Sequence, residues 1–341
     1  MVWGTAGLRT HIWNNNLRSV FLLAAFPVLL VAIGYALTIL MTGFDTTSAD
    51  YGLGKPPGAD AAPWVRELAR LPMIGAWSLG IAAVWFVIAW FGHQAMINAA
   101  TGARSVTRKD EPELYNLLEN LCISRGLSMP KLAVIESGAL NAYASGLTES
   151  QATVTVTRGL MQRLDTAELE AVLAHELSHI RHRDVRLLVI SIIFVGIISF
   201  AAEIVFRRIF WLGLRAGGDR RSGGRGGGLV IVIGLAIIAI AYLLAIVIRF
   251  SLSRRREYMA DAGAVELTRN PDAMISALEK ISGNAEVEDS PEEIREMFIE
   301  NPKTGFMGVF ATHPPIEKRI DMLVEHAGGK RRLRGSAVPE V

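Results

Sequence analysis

Four long apolar runs constrain what this chain can fold into more than any other feature. Val20–Met41 (VFLLAAFPVLLVAIGYALTILM) carries no charge, and Met73–Gly92 (MIGAWSLGIAAVWFVIAWFG) carries none either. Leu187–Phe206 and Leu229–Ile248 are the third and fourth runs. A helix of about 20 apolar residues crosses the hydrocarbon layer of a bilayer and satisfies its own backbone there, which an irregular chain cannot do. Four transmembrane helices, at about 20–41, 73–92, 187–206 and 229–248, are therefore expected, with the lipid bilayer as a partner. Pro27 is tolerated in such a helix. Trp77, Trp85 and Trp90 are suited to the membrane–water border. Glu203, inside the third run, is expected at the membrane edge or against another helix rather than in lipid. A cleaved signal peptide is the rival reading of the first run, but Thr42-Gly43-Phe44-Asp45 after it makes a poor cleavage site.

Composition agrees with a chain partly in lipid. Hydrophobic residues make up 51% and charged residues 20%, and the mean hydropathy is +0.32. A net charge of +2 gives no electrostatic footprint for nucleic acid. One cysteine, Cys122, excludes an intramolecular disulfide and a Cys₄ zinc site. Orientation follows from cations: Arg181, Arg183, Arg186, Arg249 and Arg254–Arg256 flank one side, while loop 43–72 holds only Lys55, Arg66 and Arg70. The positive-inside rule then places the polar regions on the cytoplasmic side of the membrane. Arg207, Arg208, Arg215, Arg220, Arg221 and Arg225 disagree, so the last two runs either form an exceptional hairpin or dip in without fully crossing.

Between the runs, Asp110–Leu127 has helical periodicity and ends near a glycine. Lys131–Ile135 and the alternating Thr153–Val156 read as strands, with Asn141–Gly146 as an edge strand or turn between them. Asp165 followed by Glu168 forms a capping-box pattern that starts a helix just before Thr166 and carries it to Arg183. Arg254–Leu267 and Asp272–Ile281 read as helices separated by Asn270-Pro271. Residues 216–228 are a Gly/Arg-rich linker and 330–341 a basic tail.

The chemistry lies in A174-H-E-L-S-H179. On a helix, His175 and His179 share one face, so both imidazoles can reach one ion. Glu176 is angled to reach the attacking water instead. A catalytic zinc site takes three protein ligands and keeps a position open, so a third ligand must lie elsewhere. Glu257 in R256-E-Y-M-A-D261 is the leading candidate, with Asp261 one turn on as a hydrogen-bond partner for a ligand imidazole. His182 is the rival, although one helix does not easily wrap three imidazoles around a tetrahedral ion. The third and fourth runs, as a hairpin, return Glu257 to the side that holds His175.

At these residues the chain resembles the HtpX family of membrane-bound zinc metalloproteases, relatives of the CAAX prenyl endopeptidases. The likeness rests on PELYNLLENL, NAYASG, VTRGLMQRLDTAELEAVLAHELSHIRHRD, SRRREYMADAGAVELTRNP and FATHPPIEKRIDML, in that order along residues 100–325. The resemblance implies one Zn²⁺ held by His175, His179 and Glu257, with Glu176 as catalytic base. It implies that Asn141, Ala142 and Tyr143 meet an extended polypeptide substrate. It also places His313 and Arg319 near the site, as oxyanion donors or gates, and Asp184 as a brace for the zinc helix. The architecture expected is a mainly α membrane protein with a small antiparallel or edge-strand sheet, a gluzincin-like metalloprotease domain combined with four hydrophobic helices. Its divisions are 1–98, with the first two spans; 99–186, with HExxH; 187–248, the hairpin; 249–329, with the third ligand; and 330–341, the tail. The implied role is endoproteolysis of damaged or misassembled membrane proteins. The alternatives are a CAAX-type processing protease, an intramembrane site-2-type protease, and a silent zinc-bound scaffold or chaperone. Oligomeric state is not legible.

Overall fold

The computed structural model describes residues 70–190, 255–287, 297–299 and 313–331, the stretch 27–36, and scattered single positions elsewhere. The chain divides into two compact units, one built from 1–19, 92–190 and 250–341, the other from 20–91 and 191–249.

In the second unit, helix α1 (Pro27–Ala36) meets the start of α2 (Leu71–Thr101), whose last part, from Gly92, belongs to the first unit. Gly34 makes the approach possible: a Cβ there would lie 2.9 Å from a methyl of Ile74. Among the described residues α2 is the one helix long and apolar enough to cross a membrane. It runs further than the expected 73–92, and Trp77 and Phe91 on it stay 70% and 80% exposed. Among the described residues, the other three expected spans are not seen as helices of that length. The first expected run is described only in part, and 191–206 and nearly all of 229–248 lie outside the described residues.

The first unit is mostly helical around a small sheet. Its strands are β1 (Arg104–Val106), β2 (Lys131–Ile135), β3 (Ala142–Ser145) and β4 (Thr153–Thr157), in the spatial order β1-β2-β4-β3. The expected antiparallel sheet needs correction, because β2 and β4 run parallel, Leu132 opposite Val154, while the outer pairs are antiparallel. The chain leaves β2, forms the edge strand β3, and turns back to insert β4 between them. All five residues of β4 are buried. Tyr143 lies among them, its hydroxyl 3.1 Å from Thr101 Oγ1 at the end of α2.

Helix α3 (Pro112–Arg125) ends at Gly126, whose φ of 62° is left-handed and free of strain for glycine. A short α4 (Arg158–Arg163) leads to α5 (Thr166–His182). The capping box is formed as expected: Asp165 accepts from Glu168 N–H and Glu168 accepts from Asp165 N–H. The other Glu168 oxygen accepts from Ser276 at 2.6 Å, which ties α5 to α7 (Pro271–Ile281). Helix α6 (Arg255–Thr268) crosses α5 closely at Gly263, where a Cβ would fall 2.4 Å from Ser178 Oγ. Helix α8 (Ile316–Ala327), unread in the sequence, closes the core with Ile316, Ile320 and Leu323.

Candidate metal centre

Helix α5 is buried along nearly its whole inner length, so His175 and Glu176 are 0% and 1% exposed. Their spacing one turn apart sets His175 Nε2 3.1 Å from His179 Nε2. Two nitrogens bound about 2.0–2.1 Å from one tetrahedral ion would lie about 3.3 Å apart, so the pair is already near ligating separation. From α6, Glu257 brings Oε2 to 3.6 Å from His175 Nε2 and Oε1 to 3.7 Å from His179 Nε2. The donor atoms of His175, His179 and Glu257 all lie within 4.8 Å of one another. Glu257 Oε2 is buried and has no hydrogen-bond partner. A buried carboxylate oxygen left in that condition is costly, and a cation between the three side chains satisfies it. The residues present fit a metal. His182 instead turns toward Asp184, its Nδ1 3.9 Å from Asp184 Oδ2.

The far nitrogens are held as well. His179 Nδ1 is 3.2 Å from Asp184 Oδ2, and His175 Nδ1 is 2.9 Å from Asp261 Oδ1. Such partners fix which ring nitrogen faces a metal. Arg319, fully buried on α8, donates to both Asp261 oxygens, at 2.8 and 2.6 Å, and to the Ile299 carbonyl at 2.9 Å. Its guanidinium therefore lies on the Nδ1 side of the His175 ring, Nη2 3.5 Å from that nitrogen, and its Nη1 is also 3.7 Å from Glu257 Oε2. His313 approaches Glu257 itself, Nδ1 to Oε1 3.4 Å.

Asn141 and Tyr143 are fully buried. Asn141 donates to the Ala285 carbonyl at 2.6 Å, and its Oδ1 accepts from Ile299 N–H at 3.1 Å. The Ala142 carbonyl accepts from the same N–H at 2.9 Å. The Asn141 and Tyr143 side chains are thus buried and bonded within the protein, and the Ala142 carbonyl is already taken. Sequence reasoning did not single out Ile299, since a lone aliphatic residue that acts through its backbone carries no local signal.

Charge in the centre follows from burial and proximity. Burial pushes the Glu176 carboxyl up, and the charge of Glu257 adds to that. Burial also disfavours a charged Glu257, but His313, His179 and His175 outweigh it and hold the carboxyl well below the usual range. For His179 burial works against the imidazolium, yet Glu257 and Asp184 raise it to about 10 from an ordinary 6.5. The metal-free fold thus keeps a proton on His179 that the unfolded chain gives up above pH 6.5. That stabilisation is complete below pH 6.5 and disappears as pH rises through about 10. A metal ion must displace this proton. Zinc affinity measured against a competing chelator should rise about tenfold per pH unit between neutrality and the raised His179 value. A flat profile would mean that His179 is not a ligand.

The family description "Peptidase family M48" matches residues 108–327. A protease HtpX homolog of Bacteroides fragilis is 44% identical over 326 residues, 93% of this chain and 98% of that protein. One from Listeria monocytogenes serotype 4a is 33% identical over 323 residues, 92% of this chain and 98% of its own length. Among solved structures, Ste24p of S. mikatae matches with a TM-score of 0.41 and 20% identity, over 92% of this chain and 66% of that one. Family match and close relatives agree with the paired histidines of α5 and the glutamate of α6: the chain belongs to peptidase family M48, among the HtpX proteases, and is a metallopeptidase.

Proposed function

We propose that the chain is an integral-membrane zinc endopeptidase that cuts damaged or misassembled membrane proteins near the cytoplasmic face of the inner membrane. The observation that carries this reading is the meeting of His175, His179 and Glu257 with Glu176 buried beside them. Those three side chains would hold zinc. When bound, zinc polarises a scissile carbonyl and lowers the pKa of water. Glu176 takes the proton from the attacking water and hands it to the leaving amine, a task helped by the upward push that burial gives its carboxyl. Asp261 and Asp184 hold the two imidazoles in the tautomer that leaves Nε2 free. His313, 3.4 Å from Glu257, would donate to the developing oxyanion. Arg319 braces Asp261 from behind and is a positioning residue.

Substrate would add as a strand along β3, an edge in the sheet order. Ile299 N–H already donates to the Ala142 carbonyl, and the β3 residues are buried, so the added strand needs that edge to open first. Backbone pairing reads little side-chain identity, which suits a protease of misfolded clients. The bilayer reading rests on α2 and on the apolar runs of the sequence. The test is cleavage of unfolded casein by the detergent-purified chain. Chelation should abolish it and zinc should restore it; cleavage that survives complete zinc removal refutes the reading.

A further inference from the structure

The end of α5 opens on a cavity of about 440 Å³ that the metal centre does not use. Arg183, Arg186 and Glu149 line it, Arg183 and Glu149 being exposed, and Leu147, Ile180 and Val185 form its apolar wall. Thr148 and Ser150, also at the wall, have their hydroxyls 3.0 Å apart, bonded to each other. Among the described residues, the polar contact shown for these two arginines is Arg183 to Asn16 Oδ1, at 3.3 Å. Arg183 caps α5 with a φ of 60°, its N–H donating to the His179 and Ile180 carbonyls. That left-handed position is where glycine costs nothing and a side chain costs about 1 kcal/mol. Here it places a guanidinium at the cavity. A new helical stretch starts at Asp184 and continues to residue 190, the beginning of the apolar run Leu187–Phe206.

We propose that this cavity binds the headgroup of an ethanolamine phospholipid. The inference rests on the membrane reading above. Two guanidiniums suit a phosphate, and the one carboxylate suits a primary ammonium. A choline headgroup has no N–H to give Glu149, and a glycerol headgroup brings no cation. The apolar wall, continuous in sequence with the run that begins at Leu187, accommodates the start of the acyl chains. Arg183 and Arg186 stand on either side of Asp184, whose carboxylate holds His179 Nδ1 at 3.2 Å. A headgroup gripped by both arginines fixes that turn, and the lipid thereby keeps a metal-ligand imidazole in place.

The test uses the full chain, delipidated in detergent, offered phosphatidylethanolamine, phosphatidylglycerol or phosphatidylcholine, washed, and assayed for retained lipid. Wild type should keep about one phosphatidylethanolamine per chain and release the other two. Arg183→Gln with Arg186→Gln should lose that retention, and Glu149→Gln should keep ethanolamine and glycerol lipids alike; an unchanged far-ultraviolet circular dichroism spectrum shows that both variants are folded. Equal retention of all three lipids by wild type, or unchanged selectivity in Glu149→Gln, overturns the proposal. Water-soluble phosphoethanolamine alone should not raise the melting temperature; a shift equal to that given by the lipid would make this a free-phosphate site. Lipid retention is read without proteolysis. If casein cleavage fails while retention and its loss behave as stated, the protease reading falls and this one stands.

Discussion

Glu176→Gln should lower kcat/KM on unfolded casein about 10²–10⁴-fold, the range carried by a positioned general base, with zinc content unchanged. The side chain is 1% exposed, and the substitution keeps its size, so packing against the centre is preserved. What is lost is an acceptor for the proton of the attacking water. The loss should appear in kcat, because an amide can still hydrogen-bond a water but cannot take its proton. Metal analysis beside steady-state kinetics separates this from a variant that has lost the ion. Full zinc with full activity would move the base elsewhere.

Arg319→Met should act differently, through stability and metal retention. The guanidinium is fully buried, bound to both oxygens of Asp261 and to the Ile299 carbonyl. Removing it leaves a buried carboxylate with only the His175 imidazole, and breaking such a pair costs about 3–5 kcal/mol. Asp261 then no longer sets the His175 ring, which should weaken zinc binding about 10–100-fold. Denaturant unfolding in detergent and a chelator titration check the two effects. A variant with wild-type stability and zinc affinity but greatly reduced kcat would return Arg319 to the oxyanion role that its position in the sequence suggested.

The parts legible in the sequence were those fixed locally. The capping box at Asp165 and Glu168 and the one-turn spacing of His175 and His179 are properties of a single helix, and both appear as read. Glu257 and Asp261 share a helix for the same reason. Pairing direction was not legible: β4 inserts between β2 and β3, and nothing in five alternating residues specifies a parallel neighbour. The inward turn of Asn141 was hidden too, because its partners, Ala285 and Ile299, lie 144 and 158 residues away. The sequence could name Arg319 but not its side of His175, since that depends on how α8 packs beside α6.

The most direct measurement is the zinc content of purified wild type beside Glu257→Ala. The account predicts about one zinc per wild-type chain and substantial loss in the variant, because a ligand set cut to two histidines is too weak to hold the ion through purification. A variant that keeps one tightly held zinc would contradict it, and would mean that α5 and α6 do not join in gripping the metal.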